Sequence, residues 1–434
     1  MLSIPQALAR IKGQLARSVP EHLIRRACRD AGHAWRERTL GPVATTFLLL
    51  RQVLHGNVAV GGLRRLSGLD FSDSAYCQAR ARLPLSVLRR LLKDVTGRAR
   101  AGDADDRAAR WRGHRVYLLD GSSFSMPDTP QLQEVFGQPA GQAPGCGFPV
   151  AHLLVQFDAY AGYLLTARAA PLRTHDLSRA AAAHAELAPG DLLVGDRAFG
   201  SYAHLALCRA RGLHAVFRAH QRRAIDFGPG GRRLKRLGRH DHLVEYAKPA
   251  QRPCWMSAAD YAALPAALVV RELRYHIRLP GRRTRRVTLV TTLLDPRRYP
   301  ARALAELYGR RWQAETDLRH LKQTLGMDVL RCQTVFGVLK ELTAFAVVYN
   351  LVRRVMRQAG RRQDVAPDRI SFIDALRWLR HAGAGDVLPV LKVNPERPGR
   401  AEPRVRKRRP KQFPVMTRPR AELRQALFKK RPAA

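Results

Sequence analysis

Carboxylates are scarce in this chain. Against 77 lysines and arginines stand 35 aspartates and glutamates in 434 residues, a formal charge of +42. That imbalance points to a polyanionic partner, whose binding would weaken with salt as condensed counterions are released. Cysteine is sparse too. The six (Cys28, Cys77, Cys146, Cys208, Cys254, Cys332) form no CxxC pair and no nearby Cys/His tetrad at zinc spacing, so a disulfide scaffold and a zinc finger are both excluded. They read as reduced core thiols. Long apolar runs are lacking: LTAFAVVYNLV over 342–352 is shorter than a bilayer span, and the start MLSIPQALARIKGQLAR has no continuous apolar core. The expectation is a soluble, cytoplasmic protein with no membrane partner. No Walker loop, HExxH or Ser/His nucleophile context occurs. Aromatic content of 7% and an apolar fraction of 46% are those of a folded chain, long enough for two or three domains. On composition alone a ribosomal-type or chromatin binder remains the plain alternative.

The texture changes along the chain. Residues 1–112 carry apolar residues at three-to-four spacing, as in ATTFLLLRQVL and LSVLRRLLKDV, and predict a helical domain. Within it FSDSAYCQARARLP presents Arg80 and Arg82, either a solvated basic face or a DNA-contacting one. Over 113–220 short apolar runs dominate. VYLLD, HLLVQFDAY and YLLTARAA predict three strands, followed by helix, strand (DLLVGD), helix and strand (HAVFRAH), an α/β layer with a mixed sheet. Residues 221–295 read as an all-β insertion, 296–392 as helical, and 393–434 as a basic tail containing Arg406, Lys407, Arg408 and Arg409.

Asp120 and Asp196 each end a predicted strand, the place in α/β sheets where functional side chains converge. Both could equally cap turns, because Asp-Gly at 120–121 is a common turn pair. Glu315 adds a third carboxylate, within YGRRWQAETDLRHLKQTLG. Laid out as one α-helix with Tyr308 at zero, Arg311 falls near 300°, Glu315 near 340° and Lys322 near 320°, about 100° being added per residue. Leu307, Leu318 and Leu325 border that face, so Glu315 looks along the edge of the buried stripe. Three oxygen ligands without His or Cys favour a hard divalent ion, Mg²⁺ or Mn²⁺, and two such ions suit phosphodiester cleavage. Asp158 and Asp295 read as turn residues, and His240 and His242 as solvated residues of a loop.

Tyr308, Arg311, Glu315 and Lys322 fit the Tyr-x2-Arg-x3-Glu-x6-Lys signature of the DDE transposases of bacterial insertion sequences, and the chain resembles their insertion-sequence-four family. SDSAYCQARARL, LLDGSSFSMPD, LLVGDRAFG and RVRKRRPKQFP resemble further segments of that family, in order. The resemblance implies a ribonuclease-H-like catalytic core with a β insertion between the second Asp and the Glu. It implies Asp120, Asp196 and Glu315 as ligands of two metal ions. It also implies DNA contacts by Tyr308, Arg311, Arg319 and Lys322, with Trp255 the candidate for stacking on a flipped base. Double-stranded DNA, both element end and target, would be the partner of a homodimer in a synaptic complex, associated with the nucleoid when bound. A ribonuclease-H-like nuclease that does not join ends, and a catalytically dead transposase-derived repressor, are the alternatives.

Overall fold

The computed structural model describes residues 13, 15–101, 109–174, 176–221, 223–228, 231, 233–277, 285–383, 385–396 and 416–429. After a short turn at Leu15–Ser18 come five helices: α1 (Glu21–Asp30), α2 (Pro42–Leu54), α3 (Val60–Ser67), α4 (Asp73–Arg82) and α5 (Leu85–Ala101). Nearly all of α2 is buried, as expected of a helix apolar all round. Ser72 caps α4 through the Ala75 N–H, a hydroxyl satisfying an otherwise orphan donor.

Among the described residues nine strands form one sheet in the order β3-β2-β1-β4-β5-β9-β8-β7-β6. Their ranges are β1 Val116–Ser125, β2 Val150–Asp158, β3 Leu164–Pro171, β4 Leu192–Gly195, β5 His214–Arg218, β6 Lys235–Gly238, β7 Asp241–Ala247, β8 Ala267–Ile277 and β9 Arg285–Thr291. β1, β4 and β5 run parallel, and every other pairing is antiparallel. The sheet is therefore mixed and the class α/β. The strands of segment 221–295 extend this central sheet through β9. That segment is not all-β: Ser257 caps a short helix, α8 (Ala258–Ala262), between β7 and β8, because a Ser three residues before Asp260 offers the chain a helix start. Before it, α6 (Asp176–Ala183) and α7 (Tyr202–Ala210) alternate with strands.

Alternation along the strands divides the core in two. Val116 and Leu118 face a large cluster shared with the N-terminal helices, while Tyr117 and Leu119 face a smaller one under α6 and α7. On the larger side follow α9 (Ala301–Gly309), α10 (Arg311–Arg319), α11 (Val335–Arg362) and α12 (Phe372–His381), with α13 (Arg420–Lys429) near the C-terminus. The apolar run at 342–352 lies within the 28-residue α11, which is long and apolar enough to cross a bilayer by length and composition. In this structure α11 is mostly buried as the central core helix, packed by α2, α5 and α12.

Three smaller expectations are also revised. β1 continues through Asp120–Gly121 to Ser125, because β2 pairs with it from Tyr117 to Ser125, so Asp-Gly is not a turn. His242 is buried in β7 and bonds Glu272 at 2.8 Å, whereas only His240 sits in the preceding turn. Cys77 and Cys254 are exposed, the first on the outer side of α4 and the second in a loop, so not every thiol is a core thiol.

The β2–β3 turn shows how tightly the sheet is pinned to α11. Gly162 has φ +71°, and a Cβ there would collide with the guanidinium of the fully buried Arg353. Gly162→Ala combines a left-handed residue with overpacking. It should lower the unfolding free energy by about 2–4 kcal/mol in a urea titration.

Candidate active site

β1 and β4 pair in parallel with Val116 opposite Leu192, Tyr117 opposite Leu193 and Leu118 opposite Val194. Continuing that register places Asp120 level with Asp196, which follows β4 in extended conformation (φ −77°, ψ −172°). Asp120 shares the parity of Val116 and Leu118, and Asp196 that of Leu192 and Val194, so both belong to the face of the sheet covered by α9 to α11. Asp196 Oδ1 accepts from the Ala198 N–H at 2.8 Å and caps the one-turn helix Arg197–Phe199. Asp120 Oδ1 takes its own neighbour's N–H, Gly121, at 3.0 Å.

Glu315 arrives from α10, which packs on β1. Ala314, Asp317 and Leu318 are its buried residues, leaving Glu315 at the edge with its side chain 45% exposed and held by Arg311 Nη2 at 2.9 Å. The helix is not continuous. It tightens at Arg310 between α9 and α10, then widens into a π segment, His320–Thr324. Lys322, within that wide turn, donates from Nζ to Ser122 Oγ at 3.1 Å, two residues after Asp120 on β1.

Charge links the three carboxylates. The Asp120 carboxyl is pushed up to about 6, chiefly by burial, with Asp196 and Glu315 adding to the rise and Arg311 and the Gly121 N–H opposing it. The three sets of oxygens do not all close to within 4.8 Å; among the described residues that spacing is met by His184, His204 and Cys208. Three carboxylates without nitrogen or sulfur form a hard donor set, and a divalent cation between them would relieve the crowding that raises Asp120.

The other expected residues divide. Tyr308 is buried beside Arg311, with Asp196 and Arg218 near enough to affect its hydroxyl. Arg319 is exposed. Arg80 turns inward to Gln52 Oε1 at 3.2 Å and Cys332 Sγ at 2.7 Å, while Arg82 stays on the surface. Trp255 is partly buried against the smaller core. Arg406, Lys407, Arg408 and Arg409 lie outside the described residues. Trp312 is the aromatic that sequence reasoning passed over: it is 54% exposed, one turn before Glu315, with the Arg311 guanidinium 5.1 Å from its ring centroid. Its place between Arg311 and Glu315 was the available signal.

Residues 111–351 match the transposase DDE domain family. The chain belongs to the DDE transposases. It is similar to the transposase InsG of insertion sequence element IS4 from Escherichia coli strain K12, at 24% identity over 364 residues, 79% of this chain and 78% of that protein. It also aligns with the piggyBac transposase in a synaptic complex with hairpin DNA, at 10% identity and TM-score 0.44, over 86% of this chain and 79% of that one. As a DDE transposase this is a DNA-cleaving and strand-transferring enzyme, and the family's chemistry depends on divalent metal.

The transposase thus carries a carboxylate that its own fold disfavours. Because the Asp120 value of about 6 lies above its ordinary 3.8, ionisation destabilises the folded state. The penalty is absent below about pH 4, grows through the window between the two values and is complete above 6. Asp120→Asn should therefore be more stable than wild type in EDTA at pH 7, by about 1–3 kcal/mol. Thermal melts at pH 7 and pH 4 check this, the variant's advantage vanishing at the lower pH.

Proposed function

We propose that this transposase moves its element by a cut-and-paste route, with Asp120, Asp196 and Glu315 as ligands for two Mg²⁺ or Mn²⁺ ions. The observation that carries the reading is the parallel register levelling Asp120 with Asp196, under a helix that brings Glu315 into their field. The order β3-β2-β1-β4-β5, with helices on both faces, supports a ribonuclease-H-like core.

Bound there, the ions would activate a water and neutralise charge developing at the scissile phosphate. In the first step a water oxygen attacks phosphorus at the element end, the P–O3′ bond breaks, and a 3′-hydroxyl is freed. In the second, that hydroxyl attacks a target phosphodiester and displaces its O3′. The chain's own residues bind and orient the strands. Arg311 holds Glu315 in place and offers its remaining guanidinium edge to phosphate, while Lys322 and Arg319 extend the same basic face. Tyr308 positions the strand beside Asp196. An exposed indole with an adjacent guanidinium suits base stacking, which favours Trp312 over the half-buried Trp255. In the domain reading, helices within 1–112 bind DNA, Arg82 offering surface charge where Arg80 serves packing, and 406–409 strap phosphates. Two element ends cut in one synaptic complex require a homodimer on DNA, acting in the bacterial cytoplasm at the nucleoid.

Cleavage of end-bearing duplex in Mg²⁺ tests the ligand set. Glu315→Ala should abolish nicking while still binding the end, and wild-type cutting rates in that variant would remove Glu315 from the site. Joined products on agarose separate a transposase that transfers strands from a nuclease that only cuts. Lys322→Ala should lower the slope of log K against log salt by about one unit, the signature of one lost phosphate contact. An unchanged slope would make Lys322 a purely structural partner of Ser122.

A further inference from the structure

On the opposite face of the sheet from the carboxylates, three ligating side chains meet in the apolar core. His184 belongs to the one-turn helix His184–Glu186 after α6, and His204 and Cys208 lie one turn apart on α7. All three are buried, and their ligating atoms lie within 4.8 Å of one another. His184 Nε2 and His204 Nε2 are 2.9 Å apart, and Cys208 Sγ is 3.8 Å from His184 Nε2. A tetrahedral ion bound at ordinary lengths would set its nitrogen ligands about 3.3 Å apart and nitrogen from sulfur by about 3.6 Å. Small adjustments of the observed positions reach that geometry.

The hydrogen bonding around His204 already favours ligation. His204 Nδ1 lies 2.8 Å from the Phe199 carbonyl oxygen, to which it must donate. That fixes the tautomer and turns an Nε2 lone pair inward, as an outer-shell carbonyl does for a metal-bound histidine. His184 Nε2–H then donates to His204 Nε2, and His184 Nδ1 is buried without a hydrogen-bond partner.

We propose that His184 Nε2, His204 Nε2 and Cys208 Sγ form a second metal site, distinct from the carboxylates, for a thiophilic d10 cation, Zn²⁺ or Cu⁺. A thiol and two imidazoles are poor ligands for Mg²⁺ or Mn²⁺ and good ones for these ions. On binding, the Cys208 thiol proton is released, the His184 proton moves from Nε2 to Nδ1, and three lone pairs face the ion. With one thiolate the Cu⁺ complex is neutral and the Zn²⁺ complex carries one positive charge. The site is a clamp. It joins the segment after α6 to α7, and through the His204–Phe199 bond it braces the one-turn helix that Asp196 caps. The inference does not depend on which residues cut DNA.

The full chain, with Cys77 and Cys254 replaced by Ser to remove exposed thiols, is stripped with chelator and held in excess Mg²⁺ to fill oxygen sites. It is then titrated separately with Zn²⁺, with Cu⁺, and with Co²⁺ as a spectroscopic stand-in for Zn²⁺. Expected are one equivalent of Zn²⁺ or Cu⁺ retained per chain, a thiolate-to-cobalt charge-transfer band, and a rise in melting temperature that Mg²⁺ alone does not give. Cys208→Ala, a small change confirmed folded by circular dichroism, should weaken retention by at least about 100-fold. Retention or a charge-transfer band unchanged in Cys208→Ala overturns the assignment. So does the absence of both in wild-type protein refolded with each ion, which would leave the cluster a hydrogen-bonded histidine pair.

Discussion

The Arg353 guanidinium, fully buried in α11, touches Asp317 of α10 at 3.7 Å, Asp368 at 2.8 Å and the Ala161 carbonyl of the β2–β3 turn at 3.1 Å. A buried arginine is costly unless its charge and its donors are met, and here three separate segments must come to it. The Asp317 carboxyl, buried completely, is pushed up to about 7 by that burial against the pull of Arg353. Gln313 donates to the same carboxyl from within α10. Since Asp317 must face inward, Glu315, two residues earlier, is turned toward the sheet edge. The azimuth of α10 is therefore set by a contact on its hidden side, and the same guanidinium fixes the turn leading from β2 to β3.

Several of the chain's cations serve in this structural way, so the +42 charge is not all directed at DNA. Arg271 pairs with Asp241 across β7 and β8 and donates to the Tyr299 carbonyl at 2.7 Å. Lys340 donates to the Arg80 and Ala81 carbonyls at the end of α4, and Arg80 itself is enclosed. These contacts bind the N-terminal helices and the outer strands to the rest of the fold. The reverse holds for the carboxylates. Asp158, Glu272 and Glu341 each take more than one donor, whereas Asp120 has one local N–H, the Arg311 charge and two like-charged neighbours. A divalent cation beside Asp120 would relieve the repulsion from Asp196 and Glu315 that adds to its rise.

Much of this was legible in the sequence, and for identifiable reasons. The strands of the central layer were visible because buried parallel strands are short unbroken apolar runs. The Tyr308–Lys322 spacing was visible because helical periodicity survives in primary sequence. What periodicity cannot show is pairing. β1 outran its apolar run because β2 offered partners along Gly121–Ser125. His242 was hidden because its partner, Glu272, is thirty residues away. The histidine–cysteine cluster escaped a search for local zinc spacing because His184 and His204 belong to different elements. Arg80 looked like surface because nothing nearby in sequence marks Gln52 or Cys332 as its partners.

The uniform helix drawn through residues 308–326 put the four signature residues on one face, and the structure reaches a related result by another path. At Arg310 the bonds shorten to i→i+3, with Gln313 N–H to the Arg310 carbonyl, while the Arg310 side chain hooks the Ala159 carbonyl. Ten residues on, Leu325 N–H bonds the His320 carbonyl, an i→i+5 closure. Wider winding turns the chain less per residue, so the direction of Lys322 is not that of a regular α-helix. What it meets is Ser122, on the strand of Asp120. Such local departures persist only where other contacts overdetermine them, and here the supports are Arg310 at one end and the His320–Phe372 stack, 4.3 Å between centroids, at the other. The signature spacing is thus tied to an irregular helix in which Glu315 is held by Arg311 of its own turn and Lys322 by Ser122 of β1, and a change at either irregularity would move one of them relative to the other.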